Sequence, residues 1–419
     1  MRDHRPARAV LFEDGVARQS PLTDLRPAWD VRLGACTVRE RLENALKLGF
    51  SGGLARPEVA AVAAEGLAGA DLEAACAADL LVVSARCALA PPGLETLAPG
   101  QAIVEPETGA LVAARLAPGA CSAGHLRGAL EAGEVPPGAE ASEAESACLL
   151  RHPWDVIRFR DAGLAVDLAG LIRGDGDFRP EVPEGVTVLG RGAAVHLAAT
   201  VFPTAVLDCT GGPVVIDRGA VIRPGAILVG PVYVGPGSTV LEHALIKANT
   251  AIGPVCKVAG EVGGTIFQGH ANKAHDGHLG DSWVGEWVNL GAGTTNSNLL
   301  NTYGEVVARS APEEPRVRTG LTFLGAIFGD HVKTAISTRI MTGSVLGTGS
   351  MVASTAPPPT TLGAFTWLTD AGSQAYRLDK CLAVARHAMG RRGVTPSDAY
   401  IEAFGSLHAR IAAGRGGRA

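Results

Sequence analysis

IDRGAVIRPGAILVGPVYVGPGSTVLEHALIKANTAIGPVCKVAGEV, residues 216–262, repeats with a period of six. Aliphatic residues stand at Ile216, Ile222, Leu228, Val234, Val240, Ile246, Ile252 and Val258. The fourth residue after each is mostly small: Ala220, Ala226, Val232, Ser238, Ala244, Thr250, Cys256 and Val262. An α-helix repeats every 3.6 residues and a half-buried strand every 2, so neither produces this spacing. A triangular solenoid does, with six residues to a side and three sides to a coil. The aliphatic anchor points into the prism, the small residue fits its crowded interior, and Gly or Asn takes the corner, where φ turns positive. Eight successive matches with a matching second position weigh against an ordinary β-sandwich.

Outward from this stretch the pattern continues. Leu189, Val195, Val201 and Leu207 precede it, and Phe328, Thr334, Ile340, Leu346 and Val352 follow. Between Val262 and Leu279 the rhythm breaks in a segment dense in His, Asn, Lys and Asp (GGTIFQGHANKAHDGHLGD), which makes it the first place to look for chemistry. A polar insertion runs from Asn298 through Arg318. The expected organisation is an α/β domain over 1–155, a connecting helix and linker over 156–185, a parallel β-helix over 186–370 and helices over 371–419. In the first domain, Ala9–Phe12 and Leu80–Ser84 read as buried strands, Thr37–Leu48 as an amphipathic helix and 134–145 as a surface loop.

Composition narrows the function classes. The chain has 419 residues, long enough for two domains, with 54 Gly and 5% aromatics. Its formal charge of −5, from 37 basic and 42 acidic residues, is no electrostatic footprint for nucleic acid. No apolar run reaches the ~18 residues of a membrane span, and the start, Met1–Arg8, is charged, so no signal peptide or membrane segment is expected. Eight scattered cysteines without a C-x-x-C pair fit a reducing cytoplasm.

The stretches NKAHDGHLGDSWVGEWVNLGAGTTNSNL (272–299) and FLGAIFGDHVKTAI (323–336) resemble the bifunctional N-acetylglucosamine-1-phosphate uridyltransferase/glucosamine-1-phosphate acetyltransferase family. The archaeal and Bacteroidetes-type branch is the nearest, and the opening LFEDGVARQSPLTDLRPAWDVRLGACTVRERL is similar to that branch too. The resemblance implies a nucleotidyltransferase-like α/β domain joined to a left-handed parallel β-helix of hexapeptide-repeat type, assembled as a homotrimer. It implies acetyl-CoA as co-substrate and an amino-sugar phosphate as acceptor. The family's catalytic histidine falls on His275, four residues before Leu279-Gly280-Asp281, with His278 where the family has an aromatic. Asn289, the turn Gly291–Thr294 and Asn298 match the family's GAGT motif and its asparagines. By residue type, His275 can take the amine's proton at neutral pH, and Asp276 or Asn272 can orient its ring. Lys247 or Lys273 can meet the sugar phosphate as a point charge. Each has a plainer reading: His275 as a surface-loop histidine, Asn289 and Asn298 as corner residues in left-handed conformation, the two lysines as solvated charges.

The first domain departs from the family. Where a glycine-rich loop with an Arg should cradle nucleotide phosphates there is Phe12-Glu13-Asp14-Gly15, and the strand LLVVSA runs into Arg86 where an Asp should hold Mg²⁺. Arg18 and Arg26, with Arg32 and Arg39 behind them, are the remaining candidates for nucleotide phosphate, against surface salt-bridging. Mg²⁺ stays possible for this domain alone. The leading expectation is an amino-sugar-phosphate N-acetyltransferase fused to a degenerate nucleotidyltransferase domain. The alternatives are a non-catalytic trimeric sugar-nucleotide binding or scaffold protein, or an active nucleotidyltransferase with a divergent site.

Overall fold

A computed structural model describes residues 6–16, 19–174 and 177–416. The two buried runs of the first domain lie side by side as β1 (Arg8–Phe12) and β3 (Leu80–Ser84), parallel and in register along their whole length. With β2 (Gly52–Leu54), β4 (Gln101–Val104), β5 (Leu111–Leu116) and β6 (Glu140–Glu143) they form a sheet of order β2-β1-β3-β5-β4-β6. The helix Val38–Leu46 starts where Thr37 and Glu40 close a reciprocal capping box, which satisfies two orphan N–H groups. Residues 134–145 are more than a loop: β6 pairs in parallel with β4 as a fully exposed edge strand.

From Thr187 onward the chain winds as a left-handed parallel β-helix. Its first face is a ten-stranded sheet from Phe178–Arg179 to Thr361–Leu362. Both sides of this sheet are buried. Ile216, Val234 and Ile252 point inward, while Val215, Tyr233, Ala251, Ile266, Trp283, Ile327 and Val345 point outward and are at most 4% exposed. The α/β domain and the helix Arg160–Arg173 cover that outer row, which explains why these strands read as continuous apolar runs.

The second face, from Thr187–Gly190 to His278–Gly280 and on to Arg339–Ile340, has no such cover among the described residues, and Leu189, Ile227 and Met341 on it are exposed. The third runs from Thr200–Val201 through Asn272–Lys273 and Asn289 to Thr366–Thr369. Two helices, Leu378–Gly390 and Asp398–Gly416, pack Cys381, Phe404 and Leu407 against Phe365 and against Leu25 of the first domain. Among the described residues no helix is long and apolar enough to cross a membrane, and the eight cysteines are free thiols.

The hexad anchors are buried from Val195 onward, but Leu189 is 45% exposed. Its neighbour Val188 pairs with Leu207 and takes the interior place, because the corner at Gly190 and Gly192, both at positive φ, holds one residue more than the hexad allows. The apparent break after Val262 is a phase slip and not an interruption. Interior positions continue at Val262, Phe267, Lys273, Leu279, Val284, Leu290 and Asn296, with some corners shortened. The slip conceals two polar residues, Lys273 and Asn296, standing in slots that elsewhere hold aliphatic side chains. The corners also depart from expectation. Val255, His270, Trp287 and His331 all adopt positive φ without being Gly or Asn. Stacking stabilises part of this strained column: His270 lies 4.3 Å from Trp287, ring centre to ring centre.

Candidate active site

His275 stands on the corner between the third face, which ends in Asn272–Lys273, and the open second face, which resumes at His278–Gly280. It is exposed, and no described residue hydrogen-bonds its ring. Neither Asp276 nor Asn272 orients it: Asn272 instead donates from Nδ2 to Oδ1 of Asn289, 2.7 Å away on the next coil. Asn289 and Asn298 both lack positive φ, so the left-handed corner reading fails for each.

Lys273 differs from the expectation of a phosphate ligand. It stacks on Val258 inside the prism, 1% exposed. Its Nζ donates to the carbonyl oxygens of Ala259 (3.3 Å), His275 (2.6 Å) and Asp276 (2.9 Å). Burial pushes its ammonium down to about 8, with the Asp276 carboxylate opposing. All three N–H bonds are committed, so none is left for a substrate.

On the open face, Lys247 Nζ donates to Glu261 Oε1 at 2.8 Å, and His278 Nδ1 lies 3.4 Å from the same oxygen. The bonded Lys247 holds the Glu261 carboxyl below its ordinary value. Lys247 is thus engaged, though half exposed. His278 Nε2 and Asn298 Nδ2 converge over Gly280, where a Cβ would lie 2.7 Å from each. Asn298 is fixed from behind: its Nδ2 donates to Asp281 Oδ2 at 2.7 Å, and Asp281 Oδ1 accepts from Arg160 Nη1 at 2.6 Å. Arg160 opens the helix Arg160–Arg173, whose Asp167 accepts two bonds from Arg41 of the first domain, at 2.8 and 2.7 Å. The α/β domain is thereby tied to the Asn298 corner. No sequence signal marked Arg160, while Asp281 stood in the LGD turn without an assigned role. Residues 295–298 and 339–341 line a shallow groove of about 480 Å³ beside this corner, with Arg339 at its rim.

The site expected in the first domain is filled by its own side chains. Arg86 Nη2 and Nε donate to Asp14 Oδ2 at 2.5 and 3.0 Å, and Arg86 Nη1 to the Leu150 carbonyl at 2.9 Å. The residue in place of the phosphate loop is therefore paired with the residue in place of the metal-binding Asp. At the strand end where a metal-binding Asp was expected stands a guanidinium already paired with Asp14, so the residues present do not fit Mg²⁺. Among the described residues no group of three or more His, Cys, Asp or Glu could hold a metal. Arg26 is not a nucleotide ligand: it is buried between Glu286 (3.0 Å) and Asp330 (2.8 Å) of the β-helix. Arg32 bonds Gln268, and Arg39 bonds the Gly66 carbonyl. Arg18 lies outside the described residues.

Residues 9–175 match the family model for sugar nucleotidyl transferases. The chain is also 32% identical over 142 residues to a bifunctional sugar-1-phosphate nucleotidylyltransferase/acetyltransferase of Sulfurisphaera tokodaii, a match covering 32% of this chain and 34% of that one. It is 31% identical over 143 residues to the bifunctional protein GlmU of Methanococcus aeolicus (34% of each chain). To that of Thermotoga petrophila it is 28% identical over 158 residues (37% of this chain, 31% of the other). The chain thus spans about a third of the length of the curated relatives it matches. A hexapeptide transferase family protein from Anaplasma phagocytophilum aligns with 55% of this chain and 96% of its own, at 15% identity and a TM-score of 0.24, too low to carry functional weight.

Proposed function

We propose that this protein is an acetyl-CoA-dependent N-acetyltransferase acting on an amino-sugar phosphate of the glucosamine-1-phosphate kind. The observation that carries the reading is the corner itself: an exposed, unengaged imidazole on the edge between a face bearing Asn272 and Asn289 and a face bearing His278 and Asn298. The names of the curated relatives point the same way.

The neutral amine of the sugar attacks the thioester carbonyl carbon and forms the C–N bond. His275 takes the proton the nitrogen must shed. The tetrahedral intermediate collapses, the C–S bond breaks, and coenzyme A leaves as a thiolate that recovers the proton from His275. Asn289 and Asn298 hold sugar and acyl oxygens, and His278 shapes the acceptor pocket. Lys247 is the remaining candidate for the phosphate, exchanging Glu261 for it. The test is a thiol-release assay with purified protein, acetyl-CoA and glucosamine-1-phosphate. No thiol release above the no-acceptor control would leave the scaffold reading standing.

In this reading the protein works as a homotrimer. The first face is already covered by the chain's own domain, which leaves the open face and the His275 edge to meet neighbouring copies. Light scattering should give three times the chain mass of 42.8 kDa, and a monomer at micromolar concentration contradicts the assembly.

The first domain is proposed to clamp the β-helix without transferring nucleotides. Phosphoryl transfer rests on positioning and charge neutralisation, and the Asp14–Arg86 pair removes both the amide cradle and the metal carboxylate. Pyrophosphate release from UTP and a sugar 1-phosphate with magnesium is expected at background level. Robust release would refute the clamp role.

A further inference from the structure

Asp281 turns the corner between the second face, which ends at Gly280, and the first, which resumes at Trp283. It does so at φ 43°, a left-handed conformation that Asp tolerates better than most residues. All four of its polar atoms are engaged. Its N–H donates to the Gly263 carbonyl at 3.0 Å, and its own carbonyl accepts from the Gly325 N–H at 2.8 Å. Oδ1 accepts from Arg160 and Oδ2 from Asn298. Gly264, at φ 56° on the coil before, leaves room for the guanidinium: a Cβ there would lie 2.5 Å from Arg160 Nη1 and 2.6 Å from Asp281 Oδ1. A carboxylate paired with a guanidinium only accepts, so the end of the Asn298 amide that faces it is the nitrogen. The same nitrogen is backed against Gly280, where a Cβ would lie 2.7 Å from Nδ2 and 3.1 Å from Cγ. Asn298 Oδ1 has no partner among the described residues and is the end left for a ligand in the groove that Asn298 lines.

We propose that Asp281 and Arg160 are positioning residues for the acceptor sugar: they lock Asn298 with its carbonyl oxygen outward, where it accepts a hydrogen bond from an N–H or O–H of the sugar. This rests on the acetyltransferase reading. The acyl carbonyl, which has no donor to offer, is left to other groups. The lock begins in the first domain. Arg160 and Asp167 stand about two turns apart on the helix Arg160–Arg173. Asp167 is gripped by Arg41 and by the Cys36 N–H at 2.9 Å. A domain whose nucleotide site is filled by Arg86 thereby keeps a task, since it holds the helix that delivers Arg160 to the corner.

Asp281→Asn tests the polarity of the lock. Asparagine tolerates the same φ, is nearly the same size, and its carbonyl still accepts from Arg160, so the fold should hold. Its amide nitrogen now faces that of Asn298, donor against donor, and Asn298 must turn. The expected result is a kcat/KM for glucosamine-1-phosphate lower by ~10²-fold, as for a displaced substrate contact, with KM for acetyl-CoA changed by less than about two-fold. Arg160→Met, which frees the carboxylate from behind, should act in the same direction. Adding Asn298→Asp to Asp281→Asn restores the bond with donor and acceptor exchanged and again turns an acceptor oxygen outward. The double variant should therefore be faster than either single one. A merely structural Asp281 would shift the melting temperature and leave both kinetic constants alone. A rise in KM for acetyl-CoA with that for the sugar unchanged would put Asn298 on the acyl side and overturn the inference.

A second measurement does not depend on turnover. Calorimetric titration of glucosamine-1-phosphate into the full-length protein, without acetyl-CoA, should give a Kd about ten-fold weaker in Asp281→Asn and in Arg160→Met than in the wild type. Equal affinity in all three proteins overturns the inference, and does so alone if the wild type releases thiol. A wild type that binds the sugar phosphate, loses affinity in both variants and releases no thiol overturns the acetyltransferase reading alone. A wild type that neither binds nor releases thiol overturns both.

Discussion

His275→Ala should cut acetyl transfer by ~10²–10⁴-fold, the range for removal of a positioned general base. The fold should survive, because the side chain is exposed and has no described hydrogen-bond partner, which places the stability change within ~0.5 kcal/mol. Substrate affinity should hold as well, since the proton moves only on the way to the transition state. The residual rate should climb with pH as more of the acceptor amine becomes neutral unaided. His278→Ala should do less to kcat and more to KM. Its ring lies against Glu261 and, with Asn298, over Gly280, which fits the proposed role in shaping the acceptor pocket. Rates for the two variants, with trimer mass and melting temperature as controls, distinguish the roles. Wild-type turnover in folded His275→Ala would remove the base from this corner.

The β-helix was legible because its period is a covalent fact of the chain: one side of the prism takes six residues, and Ile216 to Val258 obey that without a gap. The candidate site was legible as a segment but not as a geometry. The corner leading into Val262 is two residues short and the corner after it one short, so the phase shifts and the segment reads as a loop although the coil never stops. That shift put Lys273 on the surface in the sequence reading and in the interior in the molecule. Arg26 was misplaced for a related reason. An arginine in a loop near a nucleotidyltransferase-like strand suggests phosphate, but its partners, Glu286 and Asp330, lie more than 250 residues away, where no local pattern reveals them. Arg86 stood out in the sequence as a departure from the family pattern. Its pairing with Asp14, which turns two departures into one filled site, depends on β1 and β3 being neighbours.

Arg26→Met is expected to cost ~3–5 kcal/mol at pH 7, because it leaves two buried carboxylates facing each other without their cation. Arg26 also donates from Nη1 to the Leu22 carbonyl at 3.0 Å, and the same junction ties Asp24 to Thr348 at 2.7 Å and His331 to Tyr400 at 2.8 Å. Loosening it should therefore loosen the loop 22–26, the corner column and the last helix together. Burial pushes the Asp330 carboxyl up, against the pull of Arg26, and Glu286 pushes it further. Burial also works to raise Glu286, but Arg26 and His270 outweigh it and hold that carboxyl low. In the wild type the depressed Glu286 contributes stability that is present above its unfolded pKa and is lost as pH falls through the folded value. Without Arg26 both carboxyls are raised above their unfolded values of ~4. The folded state then binds more protons than the unfolded one in that window, so the variant loses stability as pH rises through it. The deficit should thus be largest at pH 7 and shrink toward pH 5. Chemical denaturation of both proteins at the two pH values measures it, and an equal deficit at both would sink the argument from buried charge. Adding Asp330→Asn to Arg26→Met should recover part of the loss at pH 7, since one of the two uncompensated carboxylates is then gone and the amide still accepts from the Glu286 N–H, as Asp330 Oδ1 does at 2.7 Å.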